Sequence, residues 1–277
     1  MQKTIVITGA SDGIGAAASR QLAGSGNRLI LVGRSPEKTK AVAAEVGAEY
    51  LLADFAELEQ VRTLASELIN TCERIDVLAN NAGGIFSGPV ATTDGFEKTF
   101  QVNHLAPYLL TNLLIDKLIH SQAAVINTSS IGARLFSKVD LADLNGWQNF
   151  DSTTAYGNAK LANILFTKEL HRKFHDNGLS TVALHPGNVA TNFANDQASS
   201  FHRVYHSMLR KFLISANQGG ARLRYFIEGV PGHEWKSGEY YVKPGKIGRT
   251  NRLAYDDAAI RVHWKQSAAM LGVTWPE

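Results

Sequence analysis

Tyr156 and Lys160 stand four residues apart in Ala155-Tyr-Gly-Asn-Ala-Lys160. On a helix, that spacing puts the phenol and the ammonium on one face. A neighbouring ammonium favours phenolate over phenol, so the Tyr156 pKa is expected to fall from its free value of about 10 toward working pH. A phenol of that kind can give a proton to a substrate oxygen or take one from it. Far upstream, Thr8-Gly-Ala-Ser-Asp-Gly-Ile-Gly15 has the make-up of a phosphate-cradling turn. A nucleotide held there and an acidic phenol together point to carbonyl and alcohol redox chemistry.

The elements around these residues alternate. Strands are expected at Thr4–Ile7, Arg28–Val32, Glu49–Leu52, Asp76–Ala79 and Ala123–Asn127. Between them, amphipathic periodicity predicts helices at Ile14–Ser25, Pro36–Val46, Leu58–Cys72 and Phe96–His120. A further helix spans about Thr154 to Phe174, bearing the Tyr/Lys pair, and a strand follows at Thr181–Leu184. Continuously apolar strands separated by helices indicate a parallel sheet covered on both faces. Beyond His185-Pro-Gly187 the alternation lapses into a polar stretch, a basic amphipathic segment at Phe201–Leu213, a helix at Gln218–Glu228, a strand at Glu239–Val242 and a helix near Ala254–Leu271. The fold expected is a single-domain, Rossmann-type, doubly wound α/β sheet with helices on both faces. Residues 1–187 form the dinucleotide-binding core and 188–277 a substrate lobe with C-terminal helices.

Bulk properties narrow the function classes. Of 277 residues, 44% are hydrophobic and 19% charged, ordinary for a globular core. The net charge of +3 is too small and too scattered to argue for nucleic acid. Cys72 is the lone cysteine, which fits a reducing compartment. With no signal-like leader and no apolar run of bilayer-spanning length, the expected location is cytoplasmic.

Gly9, Gly13 and Gly15, with Ser11 and Ile14 between them, follow the first strand and open the first helix. Glycine there lets the backbone approach a pyrophosphate, which meets free N–H groups at the helix N-terminus. The second strand ends Leu31-Val-Gly-Arg34, without the acid that holds the ribose of NAD. Arg34 can instead clasp a ribose 2′-phosphate, so NADP(H) is expected over NAD(H). Asp54, past the third strand, either accepts from the adenine amino group or caps the next helix. Asn80-Asn-Ala82-Gly-Gly84 ends the fourth strand at the same edge. At the reacting end, Asn127-Thr-Ser-Ser130 brings hydroxyls to the edge. Asn103 is an amide within an apolar helix and needs a partner if buried. It either serves packing alone or also holds a water beside Lys160.

Taken together, Thr8-Gly9-x3-Gly13-x-Gly15, Asn80-Asn-Ala-Gly83, Asn103, Ser130, Tyr156-x3-Lys160 and Pro186-Gly187 resemble the short-chain dehydrogenase/reductase superfamily over nearly the whole chain. Val102-Asn-His-Leu105 and the run from Ala155 to Thr167 look like its retinol dehydrogenase-like branch, alongside protochlorophyllide reductase and WW-domain oxidoreductase. The resemblance implies a tetrad: Tyr156 as proton donor or acceptor, Lys160 holding the nicotinamide ribose, Ser130 on the substrate oxygen and Asn103 anchoring a relay water. It also implies that Gly187, Val189 and Thr191 cover the nicotinamide amide, and that the enlarged Ile131–Thr153 segment forms a flap, with Leu141–Leu144 and Trp147 near the substrate mouth. The N-terminal membrane anchor of several retinoid-processing relatives is not expected here, which weighs against retinol itself.

Other features read more plainly. His202 and His206 lack the Glu and third ligand of a metalloprotease site, so no metal is expected. Phe201–Leu213 is either a lid over an apolar substrate or a peripheral membrane contact. The Tyr-bearing helix is apolar on more than one side; its second face packs either on a second copy of the chain or under the C-terminal helix. The leading function is an NADP(H)-dependent reductase or dehydrogenase of a small to medium lipophilic carbonyl or alcohol. Its rivals are a catalytically silent NADP(H)-sensing scaffold and an NAD-retaining epimerase or dehydratase.

Overall fold

The structure, a computed structural model, describes residues 2–148, 150–189 and 213–276. Its sheet has eight strands: β1 (Thr4–Thr8), β2 (Arg28–Gly33), β3 (Glu49–Leu52), β4 (Val77–Asn80), β5 (Ala124–Thr128), β6 (Ser180–Leu184), β7 (Glu239–Lys243) and β8 (Lys246–Ile247). Their order is β3-β2-β1-β4-β5-β6-β7-β8, parallel except for the terminal β7–β8 pair. The chain reverses its direction of travel across the sheet between β1 and β4, the crevice where such sheets bind ligands.

Strand alternation divides the core. Val6, Ile30, Val32, Leu78 and Val125 face α3 (Leu58–Thr71), α5 (Ala106–Leu113) and α8 (Ser152–Phe174). Ile5, Ile7, Leu29, Leu31 and Ile126 face the other way, onto α1 (Gly13–Leu22), α2 (Pro36–Val46) and α9 (Ala216–Glu228). Strands buried on both faces need no polar alternation, which is why they read as apolar runs. Helices α1 and α9 pack closely because a Cβ on Gly220 would sit 2.7 Å from both the Ala17 Cβ and the Ala18 nitrogen.

The helix ends follow their capping residues. Asp12 caps α1, Pro36 opens α2 and Gly47 closes it in the left-handed region at φ 66°. Asp151 caps α8 by accepting from the Thr154 nitrogen at 2.8 Å. The C-terminal α10 (Asp257–Leu271) starts at Asp256 and ends at left-handed Gly272.

One expected element is interrupted. In place of a single helix over 96–120 there are α4 (Lys98–Phe100), a π-helical turn (Gln101–Leu105), α5 and α6 (Ile115–His120). Pro107 has no N–H to offer the carbonyl of Asn103 four residues before it, so the α-helical ladder fails there. The Ala106 N–H instead reaches Gln101, five residues back. The expected flap also differs. Among the described residues of 131–151 only α7 (Gly132–Leu135) is regular, and Leu144 packs against the core.

The second face of α8 lies under α10. Phe166 stacks on Trp264 with ring centroids 5.7 Å apart, and the Tyr108 hydroxyl donates to the Trp264 carbonyl at 3.0 Å. Trp275 closes this cluster by donating from its indole nitrogen to the Tyr108 oxygen at 2.6 Å. Among the described residues, no helix is long and apolar enough to cross a membrane.

Candidate active site

A cleft of about 840 Å³ runs along the carboxyl ends of the strands. One end is the turn between β1 and α1. Gly9 has φ 67°, and a Cβ there would lie 2.7 Å from the Ala82 Cα, so only glycine lets β1 and the segment after β4 meet. Thr8 stitches the same junction. Its hydroxyl donates to the Ala79 carbonyl and accepts from the Asn81 and Ala82 nitrogens, each at 3.0 Å. The Asn81 amide returns to the Thr8 carbonyl at 3.0 Å.

Gly9, Ser11, Gly13, Ile14, Arg34, Asp54, Ala82, Gly187 and Val189 all line the cleft. Gly15 does not. It is buried in the first turn of α1, where a Cβ would fall 2.3 Å from the Gly9 carbonyl oxygen, so its part is to let helix and turn pack. Asn80 does not line it either. Its amide nitrogen is spent on Thr111 Oγ1 at 3.1 Å and Asn127 Oδ1 at 3.0 Å, behind the sheet edge. Asn81 takes the cleft wall in its place. Asp54 is not the cap of α3: its Oδ1 accepts from the Ala56 nitrogen at 2.9 Å, while Asp94 Oδ2 accepts from Leu58 at 2.9 Å. Thr191, His202, His206 and Phe201–Phe212 lie outside the described residues. No cluster of metal-ligating side chains occurs among those that are described.

At the far end, Tyr156, Lys160 and Ser130 come together. Tyr156 is 6% exposed and Lys160 2%. Lys160 Nζ lies 5.6 Å from the centre of the Tyr156 ring and donates to the Thr128 carbonyl at 3.1 Å. Burial pushes its pKa down to about 7, so at neutral pH its charge is held against desolvation. Two adjacent serines divide the work. Ser129 is buried and its hydroxyl donates to the Lys160 carbonyl at 2.6 Å, anchoring α8 to the end of β5. Ser130 stays on the cleft wall, its Oγ accepting from the Gly132 nitrogen at 3.0 Å. Ser130 Oγ and Tyr156 Cε1 lie within 3.4 and 3.3 Å of one point, where a Gly132 Cβ would sit.

Asn103 stands behind this group rather than on the cleft. Its Nδ2 donates to the Gly84 and Thr99 carbonyls, each at 2.8 Å, and its Oδ1 accepts from the Gly84 nitrogen at 3.1 Å. Of the flap segment, Ile131, Gly132, Leu135, Phe136 and Thr153 reach the cleft; Leu141–Leu144 and Trp147 do not. The sequence reading missed Ser35 and Lys38, which join Arg34 on the rim. The i,i+4 spacing of Arg34 and Lys38 across a Ser-Pro helix start was the available signal.

The family model for short chain dehydrogenase matches residues 3–200. The chain belongs to the short-chain dehydrogenase family. Its relatives fall in the retinol dehydrogenase-like branch. A protein of Streptomyces sp. (strain C5) assigned as a daunorubicin C-13 ketoreductase, DnrU, is 38% identical over 98% of this chain and 93% of its own. Human retinol dehydrogenase 13 is 35% identical over 99% of this chain and 86% of its own. A crystal structure of an uncharacterised Mycobacterium paratuberculosis protein superposes with a TM-score of 0.78 at 30% identity, covering 100% of this chain and 96% of that one. This short-chain dehydrogenase is therefore an oxidoreductase, of a fold that takes a nicotinamide cofactor. Its cleft fits such a group: a glycine turn at a helix N-terminus lies at one end and a desolvated ammonium at the other.

Proposed function

We propose that this enzyme moves a hydride between NADP(H) and the carbonyl or alcohol carbon of a small to medium lipophilic substrate, with Tyr156 giving or taking the proton. One observation carries the reading: Tyr156, Lys160 and Ser130 line the same cleft as the Gly9–Ile14 turn. A silent sensor has no use for that convergence.

Within this reading, the Gly9–Gly15 turn and the N-terminus of α1 receive the pyrophosphate, and Ala82 flanks it. Arg34, Ser35 and Lys38 receive the 2′-phosphate. Lys38 pairs with Asp12 at 3.3 Å, but both side chains are at least half exposed, so a phosphate displaces that pair at little cost. Asp54 keeps one carboxylate oxygen for the adenine amino group. Lys160 bonds the nicotinamide ribose, and Gly187, Val189 and Thr191 cover the nicotinamide amide. When bound, the dinucleotide supplies or accepts the hydride. Tyr156 then protonates the substrate oxygen in reduction, or deprotonates it in oxidation, while Ser130 donates a hydrogen bond to that oxygen. Asn103, its side chain committed to Gly84 and Thr99, contributes through its carbonyl.

Apolar side chains of Ile85, Phe86, Val102, Leu135 and Phe136 on the cleft wall support a lipophilic substrate, as do the names of the ketoreductase and retinol dehydrogenase relatives. With its one cysteine buried and unpaired, the chain asks for no oxidising compartment, and we place it in the cytoplasm.

The test is a panel of aldehydes, ketones, quinones and retinoids followed at the reduced-nicotinamide absorbance, with NADPH and NADH in parallel. Turnover of apolar carbonyls and a higher kcat/KM with NADPH are expected. Higher efficiency with NADH would overturn the cofactor preference, and no turnover with any member would overturn the enzyme.

A further inference from the structure

Behind Lys160 lies a buried polar chain that the mechanism above does not use. Asn163, one turn along α8, donates from Nδ2 to the Asn103 carbonyl at 3.0 Å and to the Thr128 carbonyl at 3.3 Å. The first of these carbonyls is the one that Pro107 leaves without its helical partner. The second is the one that holds Lys160 Nζ. The Asn163 Oδ1 in turn meets His104 Nδ1 at 3.3 Å, and His104 Nε2 meets Ser267 Oγ at 3.0 Å, on the C-terminal α10.

The pattern fixes its own protons. An amide nitrogen facing two carbonyls must be the donor, so the Asn163 oxygen faces the imidazole, and His104 carries its hydrogen on Nδ1. Nε2 is then bare and accepts from the Ser267 hydroxyl. Burial lowers the His104 pKa to about 3, so this neutral tautomer persists at any working pH. His263, its ring 4.7 Å away, is likewise kept neutral by burial. A flipped Asn163 amide would turn an oxygen toward two carbonyls and an N–H toward the N–H of His104.

We propose that His104 is a positioning residue for the catalytic lysine: held in one tautomer by Ser267, it locks the Asn163 amide, which fixes the backbone of Asn103 and the Thr128 carbonyl that holds Lys160 Nζ. The inference rests on the reading of Tyr156 and Lys160 given above. A Cβ on Gly83 would lie 2.4 Å from Asn103 Oδ1 and 3.1 Å from Lys160 Nζ, so Asn103 and the ammonium share one small space. A shift of the Asn103 backbone is felt directly at the lysine.

The experiment compares His104→Phe, His104→Gln, Asn163→Leu and the His104→Phe/Asn163→Leu double variant. Each is measured for kcat, KM and NADPH dissociation constant, and the wild type for its imidazole 15N shifts. His104→Phe is expected to lower kcat about 10- to 100-fold, the scale set by small misplacements of a catalytic group, with the dissociation constant little changed. Glutamine keeps an N–H for Asn163 and a carbonyl for Ser267, so His104→Gln is expected to recover most of kcat. Because His104 acts through Asn163, the double variant is expected to fall no further than Asn163→Leu. The 15N shifts are expected to show a protonated Nδ1 and a bare Nε2. A wild-type kcat in folded His104→Phe, additive losses in the double variant, or a protonated Nε2 would each overturn the proposal. Should His104→Phe fail to fold, the glutamine variant and the shifts still decide. Full turnover in Tyr156→Phe would sink the parent reading instead; a dead Tyr156→Phe beside an unaffected His104→Phe would sink this inference alone.

Discussion

Lys160 carries its charge where burial opposes it. Its folded pKa of about 7 lies below the free value of 10.5, so the folded chain binds fewer protons than the unfolded chain between those limits. Stability is therefore expected to rise with pH across that window, and the desolvation cost is fully present below about pH 7. Lys160→Met removes that cost. It is expected to melt higher than wild type at pH 6, by on the order of 2 °C or more, while losing turnover. Calorimetry at pH 6 and pH 9 checks this, the gain shrinking at the higher pH; a lower melting temperature at both would contradict the burial argument. At the other end of the cleft, Arg34→Glu is expected to cut kcat/KM for NADPH about 10- to 100-fold and leave NADH little changed, since it puts a carboxylate where a bidentate phosphate partner stood. Parallel steady-state assays read that ratio directly.

Between residue and fold, the loops after β4 and β5 and the π turn before α5 act as one support for Lys160. Gly83 is where they crowd together. Gly83→Ala would drive a methyl to 2.4 Å from Asn103 Oδ1 and 3.1 Å from Lys160 Nζ. We expect a loss of kcat of about 100-fold from displacement of the lysine, with destabilisation of about 1–3 kcal/mol from overpacking. Chemical denaturation and kinetics on the same sample separate the two effects. This level was the hardest to foresee. Tyr156, Lys160 and the glycine turn are legible because each is a local pattern with a chemical meaning. Asn163 and His104 sit in the same motifs, yet what they touch is 59 positions apart in the chain and only folding reveals it. Pro107 marks the break in the long helix, and apolar periodicity alone reads straight through it. Asn80 and Asn81 were indistinguishable by sequence, since adjacent residues at a strand end face opposite ways and register alone selects the one on the cleft.

For the whole molecule, the parallel sheet and its crevice follow from the alternation of apolar strands with amphipathic helices. The edge strand β8 and the short α7 were too brief for periodicity to show. Which partner covers the outer side of α8 was left open by its all-round apolar pattern, and α10 supplies the answer through Phe166, Trp264 and Trp275. A dimer built on that face would have to displace the C-terminal helix. Light scattering is therefore expected to give a monomer mass near 30.1 kDa, and a dimer lost on mutating exposed residues of α8 would contradict it. Catalysis turns on one hydroxyl. Tyr156→Phe keeps the ring in its buried place and removes only the proton carrier, so turnover of a reducible carbonyl is expected to fall at least about 10²- to 10⁴-fold while NADPH still binds. Turnover at the wild-type rate in that variant would contradict it.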